Sequence, residues 1–298
     1  MIQERDLKIL EAISGTETAR FRSFLESHPG KKVEINGKTI PYLACGSGRR
    51  TLLTFAGGWG GVELSYDFVL GFEDRNRVIV VDVSAFDDPA EMSRGIDAVL
   101  DRESAGRVVV FGQSLSGIIG QSYFKRRYDR ADGLVLTNTP APRKERSKKW
   151  ALIVLKGIPL GLIKALVRKK MTRLAEFPQP IPAEVQERRK FVAGLLERML
   201  FVYWTKKNIL NILTLAFAFN EKDAYAGDSF PGWKGKVLVV TSPDDPYHPD
   251  AELLMKNLPG AELVEFPSGF GHLAPQIHRD EFYGRIQRFI DGLDVLPA

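Results

Sequence analysis

Arg107-Val108-Val109-Val110-Phe111-Gly112-Gln113-Ser114-Leu115-Ser116-Gly117-Ile118-Ile119-Gly120 decides the reading of this chain. Three valines and a phenylalanine form a short apolar run, the pattern of a strand buried on both faces of a parallel sheet. Small residues follow, and Ile118, Ile119, Tyr123 and Phe124 then recur at helical spacing. The stretch predicts strand, sharp turn and helix, with Ser114 at the apex. A serine on such a strained turn holds its hydroxyl above the sheet, where a nucleophile must stand. Gly112 before it, and Ser116 with Gly117 after it, are small enough to let strand and helix pass close together. An ordinary strand-to-helix turn has the same pattern, so the rest of the chain must decide.

Working outward, Leu7, Leu10, Phe21 and Phe24 set a helical period over about 3–25, which Gly15 can divide into two shorter helices. Residues 31–35 and 38–44 flank Asn36-Gly37 and read as a hairpin. Strands are predicted at 51–55, 78–81, 134–137, 237–240 and 261–266, and helices at 89–100, 252–258 and 281–293. A hairpin followed by alternating strands and helices points to an α/β domain with a mainly parallel sheet. Between 142 and 235 several helical patterns occur, over 150–167 (broken at Gly157-Ile158-Pro159) and 185–219, with no strand pattern. The expected division is 1–141 and 236–298 as two parts of one core, with 142–235 as a helical insertion.

At 298 residues, 44% hydrophobic and 27% charged, the chain has the composition of a soluble globular protein. Its one cysteine, Cys45, excludes an internal disulfide and a thiolate-rich zinc site, and its strand setting predicts a buried, inert thiol. Met1 to Asp6 carries mixed charge with no apolar segment behind it, and no apolar run reaches spanning length. A cytoplasmic protein is expected, with peripheral attachment to a membrane as the alternative. The net charge of +5 is uneven. Residues 142–235 hold nineteen Lys and Arg against eight Asp and Glu, leaving twenty-three against twenty-nine elsewhere. The insertion is therefore basic and the remainder mildly acidic, which suits an anionic partner or a solvated face. DNA and RNA are not expected, because the basic residues lie in apolar helices without a reader motif.

A serine hydroxyl needs a base, and the base needs a partner that fixes its tautomer. The four histidines are His28, His248, His272 and His278. His272, in Gly271-His272-Leu273, follows the last strand, and loops at the carboxyl ends of strands are where an α/β site converges. After the strand at 237–240 comes Ser242-Pro243-Asp244-Asp245, and either aspartate suits the imidazole. The backbone amide of Leu115, directly after Ser114, is the first candidate donor to an oxyanion. The run Gly57-Gly58-Trp59-Gly60 after the third strand would also suit a phosphate cradle, but no dinucleotide or P-loop spacing accompanies it.

Taken together, Gly112-Gln113-Ser114-Leu115-Ser116 resembles the Gly-x-Ser-x-Gly motif of the α/β-hydrolase superfamily, with serine in the last place. The resemblance spans nearly the whole chain after the N-terminal helices. It implies an α/β-hydrolase fold, a mainly parallel sheet flanked by helices, with a helical cap inserted after the sixth strand. The family's acid loop reads Gly-x-x-Asp, so Ser242 replaces glycine and Asp245 matches the acid, with Asp244 second. In the oxyanion loop, often His-Gly-x-Gly, Gly57 replaces histidine, which makes Trp59 the second donor and Gly58 its alternate. The implied function is serine hydrolysis of a carboxylic ester or thioester bearing an apolar acyl or alkyl group, by Ser114, Asp245 and His272, without metal or organic cofactor. Carbon–carbon bond hydrolysis or lyase chemistry on the same triad is one alternative. A non-catalytic scaffold is the other, since the chain has a weaker resemblance to the maspardin-like branch. The expected partners are a small apolar substrate and, for the basic cap, anionic lipid or an acidic partner.

Overall fold

Asn36 and Gly37 both adopt positive φ, 47° and 73°, the left-handed pair that a two-residue hairpin turn requires. They join β1 (Lys31–Ile35) to β2 (Lys38–Cys45), with Ile35 facing Lys38 across the antiparallel pair. The computed structural model describes residues 2–56, 61–143, 149–174, 182–202, 204–225, 228–258, 260–268, 271–273 and 278–293. Among these, six further strands complete one sheet: β3 (Thr51–Ala56), β4 (Arg77–Asp82), β5 (Val108–Gln113), β6 (Ala131–Thr137), β7 (Lys236–Thr241) and β8 (Ala261–Glu265). Their order is β1-β2-β4-β3-β5-β6-β7-β8. β2 runs antiparallel to β4, and β3 to β8 are all parallel. The carboxyl ends of β3 to β8 therefore share one rim.

The strand period of two sorts side chains onto two faces. In β5, Val108 and Val110 pack on one face, while Val109 and Phe111 pack on the other. All four are at most 4% exposed, and each such burial contributes about 1.5–3 kcal/mol as an upper bound. On the second face lie α1 (Glu4–Glu11), α2 (Gly15–Ser27) and α3 (Tyr66–Phe72). The break between the first two falls at 12–14, where Ser14 Oγ caps α2 by accepting from the Glu17 amide at 3.2 Å. Gly15 is the first residue of the new helix rather than the interruption. The first face carries α4 (Pro89–Arg102) and α5 (Leu115–Arg127).

Between β6 and β7 run α6 (Lys149–Gly157), α7 (Leu160–Leu174), α8 (Ala183–Val202) and α9 (Lys206–Lys222). Two of them are built into the cores: Phe191, Leu195 and Met199 of α8 join the cluster with α1 and α2, and Ile212 and Leu215 of α9 join the cluster with α4 and α5. α10 (His248–Asn257) and α11 (Arg279–Asp291) close the two faces. No helix of the described residues is long and apolar enough to cross a membrane.

Cys45 is half-buried, not fully buried, with its Sγ 3.7 Å from the Val78 carbonyl. Burial, then the nearby Glu73 charge, pushes its thiol up to about 12, which keeps it protonated and unreactive.

Candidate active site

The turn from β5 to α5 holds Ser114 at φ 53° and ψ −121°. A non-glycine residue at positive φ costs about 1–3 kcal/mol and persists only where its surroundings over-determine it. Here they do. The Ser114 amide donates to the Thr137 carbonyl at 3.1 Å, and its own carbonyl accepts from the Gly117 amide at 3.1 Å and from Thr139 Oγ1 at 2.7 Å.

The residues that let strand and helix approach are Gly112 and Gly117, not Gly112 and Ser116. A Cβ on Gly112 would stand 2.5 Å from the Gly117 Cα, and a Cβ on Gly117 would stand 2.2 Å from Thr139 Oγ1. Ser116 instead fastens the turn through its hydroxyl, which donates to the Gln113 carbonyl at 2.8 Å and accepts from the Gln113 amide at 2.9 Å. The serine in the motif's last place thus closes the turn instead of opening space. Leu115 begins α5, and amides in a first helical turn have no partner within the helix, so its N–H suits a developing oxyanion. Trp59 and Gly58, the other expected donors, lie outside the described residues.

Four residues past β7, Asp245 has a side chain fully withdrawn from solvent. One carboxylate oxygen accepts from the Tyr247 amide at 2.7 Å, and the other faces His272 Nδ1 at 2.7 Å. Both lone-pair sets are satisfied, which a buried carboxylate requires. A carboxylate only accepts, so Nδ1 carries a hydrogen, and in the neutral imidazole the lone pair is then on Nε2. His272 meets Asp245 rather than Asp244, which is exposed. The Tyr247 ring lies edge-on to the imidazole at 5.7 Å.

The loop carrying His272 is tied to the turn carrying Ser114. Asn138 Nδ2 and Ser242 Oγ both donate to the Gly271 carbonyl, at 3.1 and 3.0 Å. Asn138, itself at φ 45°, donates its amide to Val240, and its neighbours Thr137 and Thr139 hold Ser114 as described. Residues 137–139 therefore connect the Ser114 turn to the residue before His272. Sequence reasoning identifies the missing glycine at Ser242 without reaching either role. The available signal is an asparagine directly after a buried strand, a residue type that tolerates the left-handed region. Among the described residues, no hydrogen bond joins the Ser114 hydroxyl to His272; such contacts are often long without substrate and tighten once it binds.

The rival histidines sit elsewhere. His28 ends α2 and pairs with Glu73 at 2.6 Å, while His248 and His278 stand at the starts of α10 and α11. His28, Glu73 and Cys45 are the one group of metal-ligand side chains that converges among the described residues, with ligand atoms within 4.8 Å. Cys45 pairs with Val78 at the amino end of β4, the opposite end of the sheet from Ser114, and the His28–Glu73 hydrogen bond accounts for the grouping. An open groove of about 640 Å³ beside the hairpin includes Lys38, Val62, Asp82, Ser84, Lys207 and Asn211 in its walls. Neither Ser114 nor His272 lines it.

Ser114, Asp245 and His272 follow β5, β7 and β8 of one mainly parallel sheet, and solved structures share that fold. The chain superposes on the enol-lactonase from Burkholderia xenovorans LB400 with a TM-score of 0.66 at 18% identity, over 88% of this chain and 100% of that one. This is the α/β-hydrolase fold. Est816, described as an N-acyl homoserine lactone degrading enzyme, matches with a TM-score of 0.65 at 21% identity, over 87% of this chain and all of that one. A membrane phospholipase A, described as a bacterial virulence factor, matches with a TM-score of 0.62 at 16% identity, over 94% and 91%. No protein-family model and no curated protein sequence matches the chain. Within the α/β-hydrolase fold, α9 packs on the helix that follows Ser114: Ala216 and Phe219 meet Ile118 and Leu115 at the start of α5. Its end is fixed to α5 by Arg126–Asp223 at 2.7 Å and by Ser122 Oγ donating to Asp223 at 2.6 Å.

Proposed function

We propose that the protein is a serine hydrolase that cleaves a carboxylic ester or thioester carrying an apolar acyl or alkyl group. The observation that carries this reading is the buried Asp245 carboxylate on His272 Nδ1 at 2.7 Å, in a loop bonded through Asn138 to the strained Ser114 turn. His272 Nε2 takes the Ser114 proton, and the alkoxide attacks the acyl carbonyl. Asp245 stabilises the imidazolium without itself taking the proton. The Leu115 amide donates to the tetrahedral oxyanion, and Trp59 or Gly58 supplies the second donor. His272 then protonates the leaving group, and water releases the acyl group from Ser114 by the reverse proton transfers. Ala216 and Phe219 beside the start of α5 favour an apolar acyl chain. The names of the matched structures, a lactonase, a lactone-degrading enzyme and a phospholipase, describe carboxylic-ester chemistry in those proteins.

The test is turnover of p-nitrophenyl esters and acyl thioesters of graded chain length by wild type and Ser114→Ala. The expected result is activity that rises with acyl length and falls by about 10⁴-fold or more in Ser114→Ala. An absence of Ser114-dependent turnover at every chain length overturns the esterase reading.

A further inference from the structure

α6 and α7 break the rule that orders the rest of the surface. Of the seven large apolar side chains that stand exposed among the described residues, five lie on these two helices: Trp150, Ile153, Val154, Leu162 and Leu166, between 51% and 74% exposed. Trp150, Ile153 and Val154 fall three and four residues apart, so they share one face of α6. Leu162 and Leu166 repeat that spacing on α7, and exposed Lys169 continues their stripe. The inward side of α7 holds Ile163, which is 7% exposed. Lys206 Nζ donates to the Lys156 carbonyl at 2.6 Å and Arg168 pairs with Glu197 at 2.7 Å, so both helices are attached to α8 and α9. They are ordered parts of the fold whose outer faces are apolar.

The charge of the segment selects what could cover that face. Residues 149–174 contain seven Lys and Arg and no Asp or Glu. A second copy docked by the same patch would set these cations against each other, because a two-fold contact pairs like surface with like. An apolar stripe flanked by cations, with tryptophan on it, matches a surface that offers hydrocarbon beneath a layer of negative headgroups. We propose that α6 and α7 form a docking surface for an anionic phospholipid membrane, on which the two helices lie without crossing it. This inference does not rest on the hydrolase reading, since membrane binding is measured without turnover.

The experiment is co-sedimentation of the full chain with phosphatidylcholine vesicles and with vesicles containing phosphatidylglycerol, at low and high salt. Trp150 emission is followed in parallel. The expected result is partition onto the anionic vesicles only, weakened by salt, with a blue shift that Trp150→Phe reduces. The pairs Ile153→Asp with Leu166→Asp, and Lys156→Glu with Lys169→Glu, should each weaken binding by at least about tenfold. Both pairs are surface changes, and their thermal midpoints should match wild type. The proposal is overturned by absent partition onto anionic vesicles, by equal binding to neutral ones, or by binding that neither pair weakens. It is also overturned if the same substitutions abolish a dimer, seen by sedimentation, in a chain that ignores vesicles.

Discussion

Two regions of this molecule invert the usual distribution of side chains in opposite senses. At the carboxyl rim of the sheet, polar side chains are buried: Thr137, Asn138, Thr139, Thr241, Ser242 and Asp245 are each at most 3% exposed. On α6 and α7, large apolar side chains are exposed. Isolated exposed apolar groups are ordinary, whereas buried polar groups and clustered exposed apolar ones require a reason. At the rim the reason is visible, because Asn138, Thr139, Ser242 and Asp245 all hold the Ser114 turn or the His272 loop. On α6 and α7 no contact among the described residues covers these side chains, and the proposed membrane surface is the reason offered for them. The helices of one insertion differ in the same way: α8 and α9 are part of the cores, while α6 and α7 rest on them.

Substitutions can break or sharpen this contrast. The largest effect is expected at the rim, where Asp245→Asn keeps the shape but lets the amide favour the wrong imidazole tautomer. Ester turnover should fall by about 10³–10⁴-fold with little change in thermal midpoint, and a loss below tenfold would reduce Asp245 to a packing role. Next comes the built-in part of the insertion. Phe219→Ala, at a fully buried position, should cost about 3–5 kcal/mol in chemical denaturation. Gly117→Ala should cost about 1–3 kcal/mol, because the new Cβ meets Thr139, the residue that also holds Ser114. The smallest effect belongs to Leu166→Ser, which should change stability by no more than about 0.5 kcal/mol. If Leu166→Ser destabilises the protein as much as Phe219→Ala does, α7 is a covered helix and the contrast fails.

Much of the frame is legible in the sequence because single-residue chemistry decides it. Asn36-Gly37 specifies its turn, Val108 to Phe111 specifies a doubly buried strand, and Ser114 between small residues specifies a strained apex. Where the sequence falls short, the cause is contact between distant parts of the chain. β6 begins at Ala131, three residues before the expected strand, although Asp132 is a poor strand former. The Arg107 and Arg50 side chains hold that aspartate at 2.6 and 3.2 Å. α10 begins at His248 rather than Glu252, because Pro249 lies in its first turn, a place where proline is tolerated rather than disruptive. α3 is not marked in the sequence: Tyr66 to Phe72 is a short apolar run, and periodicity does not separate short strands from short helices. Its Gly71 suits the Tyr283 ring of α11, which a Cβ would meet at 2.8 Å. At the site, residue types indicate which side chains could react, but Asn138 and Ser242 acquire their roles only when Gly271 arrives from more than a hundred residues away in the case of Asn138.

The most direct test of the central claim is mass spectrometry of the folded chain after reaction with an alkyl fluorophosphonate. That reagent captures only a serine whose proton is removed by a neighbouring base. A single adduct on Ser114, formed far more slowly in His272→Ala and Asp245→Asn, is the predicted result. A folded wild-type chain that stays unlabelled, or carries the adduct on another residue, would contradict the account.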